Sequence, residues 1–239
     1  RNVGDGRFED RSEAAGLTGE TGGLNLIQAD YDNDGLLDVY VPRGAWLGKI
    51  GLQPDSLLHN NGNGTFTDRS FDAGLSEVLY PNVTAVFSDY DNDGDLDIYV
   101  GNEEDENVKA PCQLFGNNGN GTFTDVAVAA GVTNNRYTRG VVAGDYDADG
   151  DPDFYVSNHN QENRLYRNKG DGTFEDVAPE LGVTGPLRSY PCWFFDYNND
   201  GALDLQVLAF GAKPQDLAAA ALGLPFDADL PSLYVGDGK

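Results

Sequence analysis

Short β-prone segments and alternating apolar and polar positions run through this chain. The segment "NVTAVFSDY" (82–90) is rich in β-branched and aromatic residues, and "LDIYVGN" (96–102) alternates. Both patterns are typical of strands. A second motif, as in "QLFGNNGNGTFTDV" (113–126), places Asn-Gly between two further alternating runs. Asn-Gly predicts a hairpin, because the central residues of such a tight turn need positive φ. Each unit therefore predicts four antiparallel strands.

An acidic segment joins the first two predicted strands of every unit, and it recurs at intervals of roughly 50 to 60 residues. Its copies are "ADYDNDGLLDVYV" (29–41), "SDYDNDGDLDIYV" (88–100), "GDYDADGDPDFYV" (144–156) and "FDYNNDGALDLQV" (195–207). A sandwich would lack this period, and a helical solenoid would lack the alternation. The sequence therefore predicts an all-β fold, a β-propeller of four-stranded antiparallel blades with about four blades visible.

The repeats divide residues 1–239, taken as a single domain, into predicted blades. These are blade 1 (24–72), blade 2 (82–130), blade 3 (138–181) and blade 4 (190–239). The last blade lacks the partner of its final strand, and residues 1–10 contain the missing half of that hairpin motif. We therefore expect residues 232–236 to pair with residues 6–10, because an unpaired strand edge invites association. The pairing either closes a ring within one chain or joins successive copies into a filament.

The chain is strongly acidic, with 40 Asp and Glu against 15 Lys and Arg and a formal net charge of -25. Such a surface repels phosphate backbones and anionic lipids, so nucleic acid is not an expected partner. No apolar run approaches the roughly 20 residues of a membrane span, so none is predicted. The functional interest lies instead in where the acids are placed.

The acidic segments contain the ligands that a hard cation requires. Aligned on the first acid, positions 1, 3, 5 and 9 carry side-chain oxygens, and position 6 is always glycine, which permits a sharp turn. The side chains are Asp30, Asp32, Asp34 and Asp38; Asp89, Asp91, Asp93 and Asp97; Asp145, Asp147, Asp149 and Asp153; and Asp196, Asn198, Asp200 and Asp204. The backbone carbonyls at position 7 belong to Leu36, Asp95, Asp151 and Ala202. About six or seven oxygens match Ca²⁺ better than Mg²⁺, and no Cys or His enters the loop pattern, which disfavours zinc. About four Ca²⁺ ions are predicted.

The loop pattern D-x-[DN]-x-[DN]-G-x-x-D is not an EF-hand, because position 12 is a valine inside a strand rather than a glutamate. It resembles the FG-GAP and VCBS repeats of integrin-type β-propellers, particularly extracellular proteins that carry such repeats ahead of an ASPIC/UnbV segment. The resemblance covers nearly the whole chain, with Asn198 the one neutral substitution. It implies that each loop joins the first two strands of a blade and binds Ca²⁺. Because extracellular Ca²⁺ modules bind too weakly to fill in the cytosol, a secreted or cell-surface location is expected.

Four insertions join the predicted second and third strands and should crowd the face opposite the acidic loops. They are residues 42–54, 101–112, 157–163 and 208–231. We expect this face to bind a protein or a carbohydrate. The leading hypothesis is a non-enzymatic interaction, adhesion or assembly module. The alternatives are a lyase-type carbohydrate enzyme, which would require an acid, base or metal cluster there, and a filament subunit.

Isolated residues add little to this picture. His59 and His159 lack a nearby nucleophile motif, so packing or surface roles are favoured over catalysis. The run "EEDEN" (103–107) is expected to be a solvated loop rather than a binding site. Trp46 and Trp193 have the flat faces that stack on sugars, although core packing explains Trp193 at least as well.

Two modifications are left open by the sequence. Cys112 and Cys192 both precede strands on the insertion face, so they form either a disulfide or two free buried thiols. Glycosylation sequons begin at Asn63, Asn82 and Asn120. Two of these overlap the Asn-Gly turn of the repeat, where asparagine also serves the turn's φ angles.

Overall fold

Four antiparallel sheets follow one another along the chain in this computed structural model, which describes residues 1–20, 22–210, 213–226 and 228–238. Gly211, Ala212 and Asp227 of the predicted insertion 208–231 lie outside the described residues, as does Lys239 of predicted blade 4. The strands are β1 (Asn2–Gly4), β2 (Arg7–Phe8), β3 (Ile27–Ala29), β4 (Asp38–Val41), β5 (Ser56–Asn60), β6 (Phe66–Asp68), β7 (Asn82–Ser88), β8 (Asp97–Asn102), β9 (Gln113–Asn117), β10 (Phe123–Asp125), β11 (Thr138–Gly144), β12 (Asp153–Asn158), β13 (Arg164–Asn168), β14 (Phe174–Asp176), β15 (Ser189–Phe195), β16 (Asp204–Ala209) and β17 (Ser232–Tyr234). Short helices are α1 (Ala127–Ala130), α2 (Ala178–Leu181), α3 (Pro214–Ala221) and a 3₁₀ turn (Gly48–Gly51).

Each sheet is an up-and-down antiparallel meander, and we call the sheets blades 1 to 4. Blades 1, 2 and 3 contain the strands β3 to β6, β7 to β10 and β11 to β14. Blade 4 contains β15, β16 and β17, and β1 pairs with β2 in a separate hairpin. The all-β prediction and the four-stranded antiparallel sheets are confirmed for the first three units. Within the described part of the chain, the sheets form a row and not a closed ring.

The hydrophobic core is divided among the spaces between neighbouring sheets. One cluster joins blades 1 and 2, a second joins blades 2 and 3, and a third joins blades 3 and 4. A tyrosine in the second strand is fully buried in each of the first three blades, at Tyr40, Tyr99 and Tyr155. The Tyr99 hydroxyl donates to the Val132 carbonyl at 2.8 Å, and the Tyr155 hydroxyl donates to the Val183 carbonyl at 2.8 Å. Each buried hydroxyl is thereby satisfied and ties its blade to the connection that follows it.

The connection after each hairpin docks on the next blade. The Phe123 amide of blade 2 donates to the Ala73 carbonyl at 2.9 Å. In the same way, the Phe66 amide of blade 1 donates to the Ala15 carbonyl at 2.9 Å. The segment before blade 1 therefore has the position that a connection from a preceding blade would have.

The predicted pairing of residues 6–10 with residues 232–236 is wrong for a single chain. β2 pairs with β1, and β17 pairs with β16. The physical reason is that the Ala15–Phe66 bond holds the N-terminal segment against blade 1, while β17 belongs to blade 4 at the other end of the row. In the described residues, β2 and β17 therefore do not pair with each other.

Both cysteines are buried free thiols, in different core clusters. The disulfide alternative is therefore not adopted in this structure. The sequon at Asn82 is also unsuitable, because Asn82 is buried and its amide donates to the Asp55 carboxylate. Asn63 and Asn120 are exposed and stabilise their own turns. Of the helices in the described ranges, none has the length and apolarity needed to cross a membrane.

Asp55 generates a testable pH dependence. Burial raises the pKa of Asp55 from 3.8 to about 6, against hydrogen bonds from the Tyr40 hydroxyl and the Arg43 amide. Because the folded state holds this proton more tightly than the unfolded state, its contribution to stability is fully present below about pH 4 and is lost as the pH rises through about 6. We expect the wild type to lose about 3 kcal/mol of unfolding free energy over this pH range, and Asp55→Asn not to show this loss.

Urea unfolding of the wild type and the variant between about pH 4 and 7 measures this difference. Asp72→Asn is the matched control, because the side chain of Asp72 is 78% exposed. The unfolding free energies of the wild type and of Asp72→Asn should change with pH in parallel. A constant difference between the wild type and Asp55→Asn at every pH would contradict the prediction.

Candidate metal sites and insertion face

The first acid of every loop folds the loop around itself. In loop 1, Asp30 Oδ1 accepts from the Asp34 amide at 3.0 Å and Asp30 Oδ2 accepts from the Gly35 amide at 2.9 Å. Asp89, Asp145 and Asp196 accept the same pair of amide bonds in their loops. Gly35 has a φ of +87°, which is unfavourable for residues with a Cβ. This glycine conformation explains why position 6 is always glycine.

The last acid of every loop is buried and fastens the loop to its sheet. In loop 2, Asp97 Oδ1 accepts from the Asn117 amide of the third strand at 2.8 Å, and Asp97 Oδ2 accepts from the Tyr90 amide at 3.0 Å. Burial raises the pKa of Asp97, and likewise of Asp153, to about 7. The fold thus places a carboxylate where only compensating positive charge or a proton stabilises it.

Positions 1, 3 and 9 converge in the first three loops. The three groups, each with ligand atoms within 4.8 Å of one another, are Asp30, Asp32 and Asp38; Asp89, Asp91 and Asp97; and Asp145, Asp147 and Asp153. Asp38 Oδ2 and Asp147 Oδ1 are buried and accept no hydrogen bond from the described residues. Converging carboxylate oxygens, two of them without a hydrogen-bond donor, are ligands of the kind that a hard cation prefers. The residues present therefore fit a metal ion in these loops.

Of the predicted ligands at position 5, Asp34 lies within 4.8 Å of Asp32 and His59 by its ligand atom. Position 5 makes a local turn, in which Asp34 Oδ1 accepts from the Leu36 amide at 2.8 Å. Asp93, Asp149 and Asp200 accept the corresponding bonds. In loop 4, Asn198 Nδ2 donates to Asp200 Oδ2 at 2.8 Å. No cluster of three acidic side chains is found in the described residues of loop 4, because an amide stands at position 3.

His59 lies closer to the acidic site of loop 1 than its sequence context indicated. Its Nδ1 is 3.2 Å from Asp32 Oδ2 and 3.2 Å from Asp38 Oδ1. His59 lies in β5, which is the third strand of the same blade. Blades 2 and 3 have Gly116 and Arg167 at the equivalent position, so no repeated pattern could have revealed this contact.

Neighbouring loops are clasped to one another by asparagines that sequence reasoning missed. Asn33 Nδ2 donates to Asp95 Oδ1 of the next loop at 2.8 Å, and Asn92 Nδ2 donates to Asp151 Oδ1 at 2.7 Å. The signal in the sequence is asparagine at position 4 of one loop followed by aspartate at position 7 of the next. Ala148 and Ala202 occupy these two positions at the junction of blades 3 and 4, so this clasp is absent there.

A second cross-blade bond runs from the third strand to the preceding loop. Asn117 Nδ2 donates to the Tyr31 carbonyl at 2.9 Å, and Asn168 Nδ2 donates to the Tyr90 carbonyl at 2.7 Å. Gly236 stands at the corresponding position of blade 4 and has no side chain to make this bond. Blade 4 therefore lacks both of these asparagine contacts with its neighbour.

The four insertions meet on the face opposite the loops. Trp46, His159 and Phe210 of three insertions line one cavity of about 470 Å³, together with Tyr137, Arg139 and Tyr190 from outside the insertions. Trp46 is 54% exposed and Phe210 is 64% exposed, whereas Trp193 lies in β15 and does not line this cavity. The Arg139 guanidinium lies 4.2 Å from the Tyr137 ring centroid and 5.7 Å from that of Trp46. This geometry is a cation–π cluster with two exposed aromatic faces.

The carboxylate of Glu103 contacts two residues that line this cavity. The expectation of a solvated run at 103–107 is wrong for its first residue, because Glu103 is buried and pairs with Arg139. Glu103 Oε2 also accepts from the Trp46 amide at 2.5 Å. The Arg139 guanidinium and the Trp46 amide thereby compensate the desolvated carboxylate of Glu103. These two contacts hold the segments that carry Trp46 and Arg139 in place.

The asparagine clasps can be tested with a matched pair. We expect Asn92→Ala to destabilise the protein by about 1 kcal/mol more than Asn199→Ala, because only Asn92 bonds a neighbouring loop. Both asparagines have φ near +60°, so the backbone cost of alanine is shared and cancels. Denaturant unfolding in a chelating buffer measures the difference without bound metal. Equal losses in the two variants would contradict a stabilising role for the clasp.

Comparisons with known proteins agree with the repeated loops. A family model for the FG-GAP-like repeat matches residues 89–156 and 145–207. Cartilage acidic protein 1 of Mus musculus is 29% identical over 210 residues, which are 82% of this chain and 31% of that protein. The Xenopus tropicalis protein of the same name is 32% identical over 223 residues, which are 87% of this chain and 32% of that protein. The chain thus spans about a third of the length of these curated relatives. With its acidic loops set between the first two strands of successive four-stranded sheets, this chain belongs to the FG-GAP-like repeat family.

Proposed function

We propose that this chain is a calcium-stabilised β-propeller module of an extracellular protein, and that it acts in adhesion, interaction or assembly rather than in catalysis. The observation that carries the proposal is the convergence of three carboxylates in each of the first three loops. These loops connect the inner strands, so an ion bound there stabilises the sheets themselves. The function of the chain would then depend on the rigidity of the array and on the surface it presents.

The residues that would hold each ion are the side chains at positions 1, 3, 5 and 9 and the carbonyl at position 7. Ca²⁺ would supply positive charge to carboxylates that otherwise repel one another. Coulomb repulsion between neighbouring acids already contributes to raising the pKa of Asp91 and Asp147, after burial. Loop 4 would be the weakest of four sites, since Asn198 contributes no charge.

Calcium should raise the unfolding temperature in proportion to the occupied sites. With a dissociation constant on the order of 10⁻⁴ M, each site adds about 1.4 kcal/mol at roughly millimolar Ca²⁺, because the ion binds the folded state. Asp91→Asn should weaken the site of loop 2 in calorimetric titration, because it puts at position 3 the amide that Asn198 has in loop 4, and Asp72→Asn should weaken no site. An unfolding temperature that is unchanged by a chelator would contradict the proposal, and so would equal stabilisation by Mg²⁺.

Two lines of support favour an extracellular setting. Sites of this strength would be empty at cytosolic calcium levels, so the acidic loops would then only destabilise the fold. The relatives are named for cartilage and for acidity, and this chain shares the acidity, with a net charge of -25. On these two grounds we propose an extracellular location for this chain.

The insertion face is the proposed partner surface. Trp46 and Phe210 expose flat apolar faces around a guanidinium that Glu103 already neutralises. Such a surface suits a neutral sugar ring or an apolar protein side chain better than a polyanion, because the net charge of the chain repels polyanions. Trp46 also adopts a φ of +66°, which is rare for a bulky residue and is retained only where the surroundings impose it.

Tryptophan fluorescence distinguishes a carbohydrate from a protein partner. We expect a neutral oligosaccharide to change the emission of the wild type and of Trp193→Phe, and to leave Trp46→Phe unchanged. The reason is that only Trp46 lines the cavity. A response that persists in Trp46→Phe would contradict sugar stacking on this residue. No response in any form of the protein would leave a protein as the partner of this face.

One observation favours the lyase alternative enough to test it. Tyr137, Arg139 and His159 line one cavity, although no cluster was expected there from the sequence. Burial, with Arg139 and Arg188 nearby, lowers the pKa of His159, so its imidazole is neutral at physiological pH. A polyuronate cut by elimination gains a double bond that absorbs in the ultraviolet. We expect no such absorbance, and a rise that His159→Ala abolishes would overturn the non-enzymatic assignment.

A further inference from the structure

His59 adds a nitrogen atom to the oxygen cluster of loop 1. Its Nδ1 lies 3.2 Å from Asp32 Oδ2 and 3.2 Å from Asp38 Oδ1. The ligand atoms of Asp32, Asp34 and His59 also lie within 4.8 Å of one another. Two atoms that each lie about 2.0–2.1 Å from one tetrahedral ion are about 3.3 Å apart. The separations around Nδ1 are therefore those of atoms that bind the same ion.

Two atoms of this cluster are buried without a hydrogen-bond partner among the described residues, namely His59 Nδ1 and Asp38 Oδ2. The side chain of Asp38 is 0% exposed. In loop 2 the equivalent oxygen, Asp97 Oδ2, accepts from the Tyr90 amide at 3.0 Å. A buried nitrogen and a buried carboxylate oxygen that stay unbonded cost free energy, and a shared cation would remove that cost. These two atoms point to a ligand independently of the number of acids in the loop.

Aromatic packing holds the imidazole in place beside the loop. The ring of His59 lies edge-on against that of Tyr31, with centroids 6.4 Å apart. The Tyr31 ring in turn packs against Phe123 of blade 2, at 5.9 Å. Tyr90 and Phe174 repeat this tyrosine–phenylalanine contact one blade further along, at 6.0 Å. An imidazole that is already held at the site loses little freedom when it binds an ion.

A cavity of about 310 Å³ adjoins the cluster. Asp32 and His59 line it, together with Arg69 and residues 120–122 of the blade 2 hairpin. The side chains of Asp32 and His59 are 25% and 19% exposed, so solvent reaches the site from this cavity. An ion can therefore enter the folded protein, and water can complete its coordination.

The strand position of His59 differs from blade to blade. In the other three blades it is occupied by Gly116, Arg167 and Val235. His59 pairs with Thr67 and Gly116 pairs with Thr124, so the two positions are in register. Of these four residues only histidine offers a neutral nitrogen ligand, since a guanidinium has no free acceptor. Among the described loops, only loop 1 therefore combines nitrogen with carboxylate oxygens.

A nitrogen ligand changes the ion that a site prefers. Ca²⁺ takes oxygen ligands, whereas imidazole suits Zn²⁺ and other first-row transition ions. The sequence disfavours zinc because neither Cys nor His stands within the loops, but the fold brings a histidine to loop 1 from β5. Loop 2 has glycine at this strand position and keeps oxygen ligands alone.

We propose that loop 1 binds a divalent transition-metal ion, Zn²⁺, in preference to Ca²⁺, and that the residue at the strand position of His59 selects the ion. The ligands are His59 Nδ1 and the carboxylates of Asp32, Asp34 and Asp38. With Nδ1 as the ligand, Nε2 carries the proton of the neutral ring. The inference rests on the proposed function in one respect only, namely that the acidic loops hold metal ions.

Calorimetric titration of Zn²⁺ into the calcium-saturated chain, without an affinity tag, tests this selectivity. We expect a single Zn²⁺ to bind the wild type and His159→Ala, which removes the only other histidine of the chain. His59→Gly gives loop 1 the residue that blade 2 has. It should weaken the site at least about 10-fold, the lower bound for loss of a group that only orients a ligand. Equal Zn²⁺ affinity in the wild type and His59→Gly, or no Zn²⁺ binding beside Ca²⁺, would overturn the proposal.

Nitrogen NMR of the two histidines identifies the ligand atom. Zn²⁺ should shift the Nδ1 resonance of His59 and leave both ring nitrogens of His159 unchanged. This readout would not move if His59 had only a structural role. A His59 spectrum that Zn²⁺ leaves unchanged would overturn the assignment, even if calorimetry detected binding elsewhere.

Gly116→His transfers the nitrogen to blade 2. A Cβ at Gly116 would lie 3.6 Å from Val126 and 3.7 Å from the Tyr90 hydroxyl, which is ordinary contact. We expect this variant to bind a second Zn²⁺ and Gly116→Leu, the matched control, to bind no more than the wild type. A folded Gly116→His with unchanged Zn²⁺ stoichiometry would overturn the role of this strand position in selecting the ion.

Calcium titration of the same variants separates this inference from the proposed function. His59→Gly keeps every carboxylate of the loops, so stabilisation by Ca²⁺ should persist and should show that the variant is folded. Loss of calcium binding in all loops with Zn²⁺ binding retained would contradict the calcium proposal alone. Calcium in loop 1 that Zn²⁺ does not displace would contradict this inference alone.

Discussion

The buried aspartate that ends each acidic loop is the constraint on which much of the structure depends. In blades 2 and 3 this carboxylate accepts amides from the loop and from the third strand, so it joins three strands of a sheet at one point. The side chain of this aspartate is only 0–2% exposed in all four blades, and further carboxylates lie beside it. Desolvation penalises this carboxylate unless a proton or a positive charge compensates it, so ion binding in the loop, as proposed, would stabilise the sheet as well.

Packing between sheets is the second determinant. Every sheet has two apolar faces and buries them only when it has a neighbour on each side, so stability builds up junction by junction along the row. The asparagine clasps and the tyrosine–phenylalanine contacts are repeated at the first two junctions, and the clasp is absent at the third, where Ala148 and Ala202 occupy its positions.

The two faces of the array carry different kinds of residues. One face carries carboxylate loops whose geometry is set by backbone amides and glycine turns. The other carries insertions of unequal length that converge on Arg139 and its aromatic neighbours. A repeated scaffold with one regular face and one variable face is suited to presenting a specific surface, because loops can diverge without disturbing the sheets.

The sequence by itself determined the repeat, the strands and the ligand positions, since each of these depends on local pattern: alternation for Ile98 and Val100, positive φ at Gly35, and oxygen donors at every second position from Asp89. Only the tertiary structure decided which side chains meet across blades. The burial of Glu103 under Trp46 and Arg139, the contact of His59 with Asp32, and the placement of Phe8 away from β17 depend on residues far apart in the chain. Local pattern contains no information on such contacts, because they follow from how rigid sheets stack and not from the preferences of any one segment.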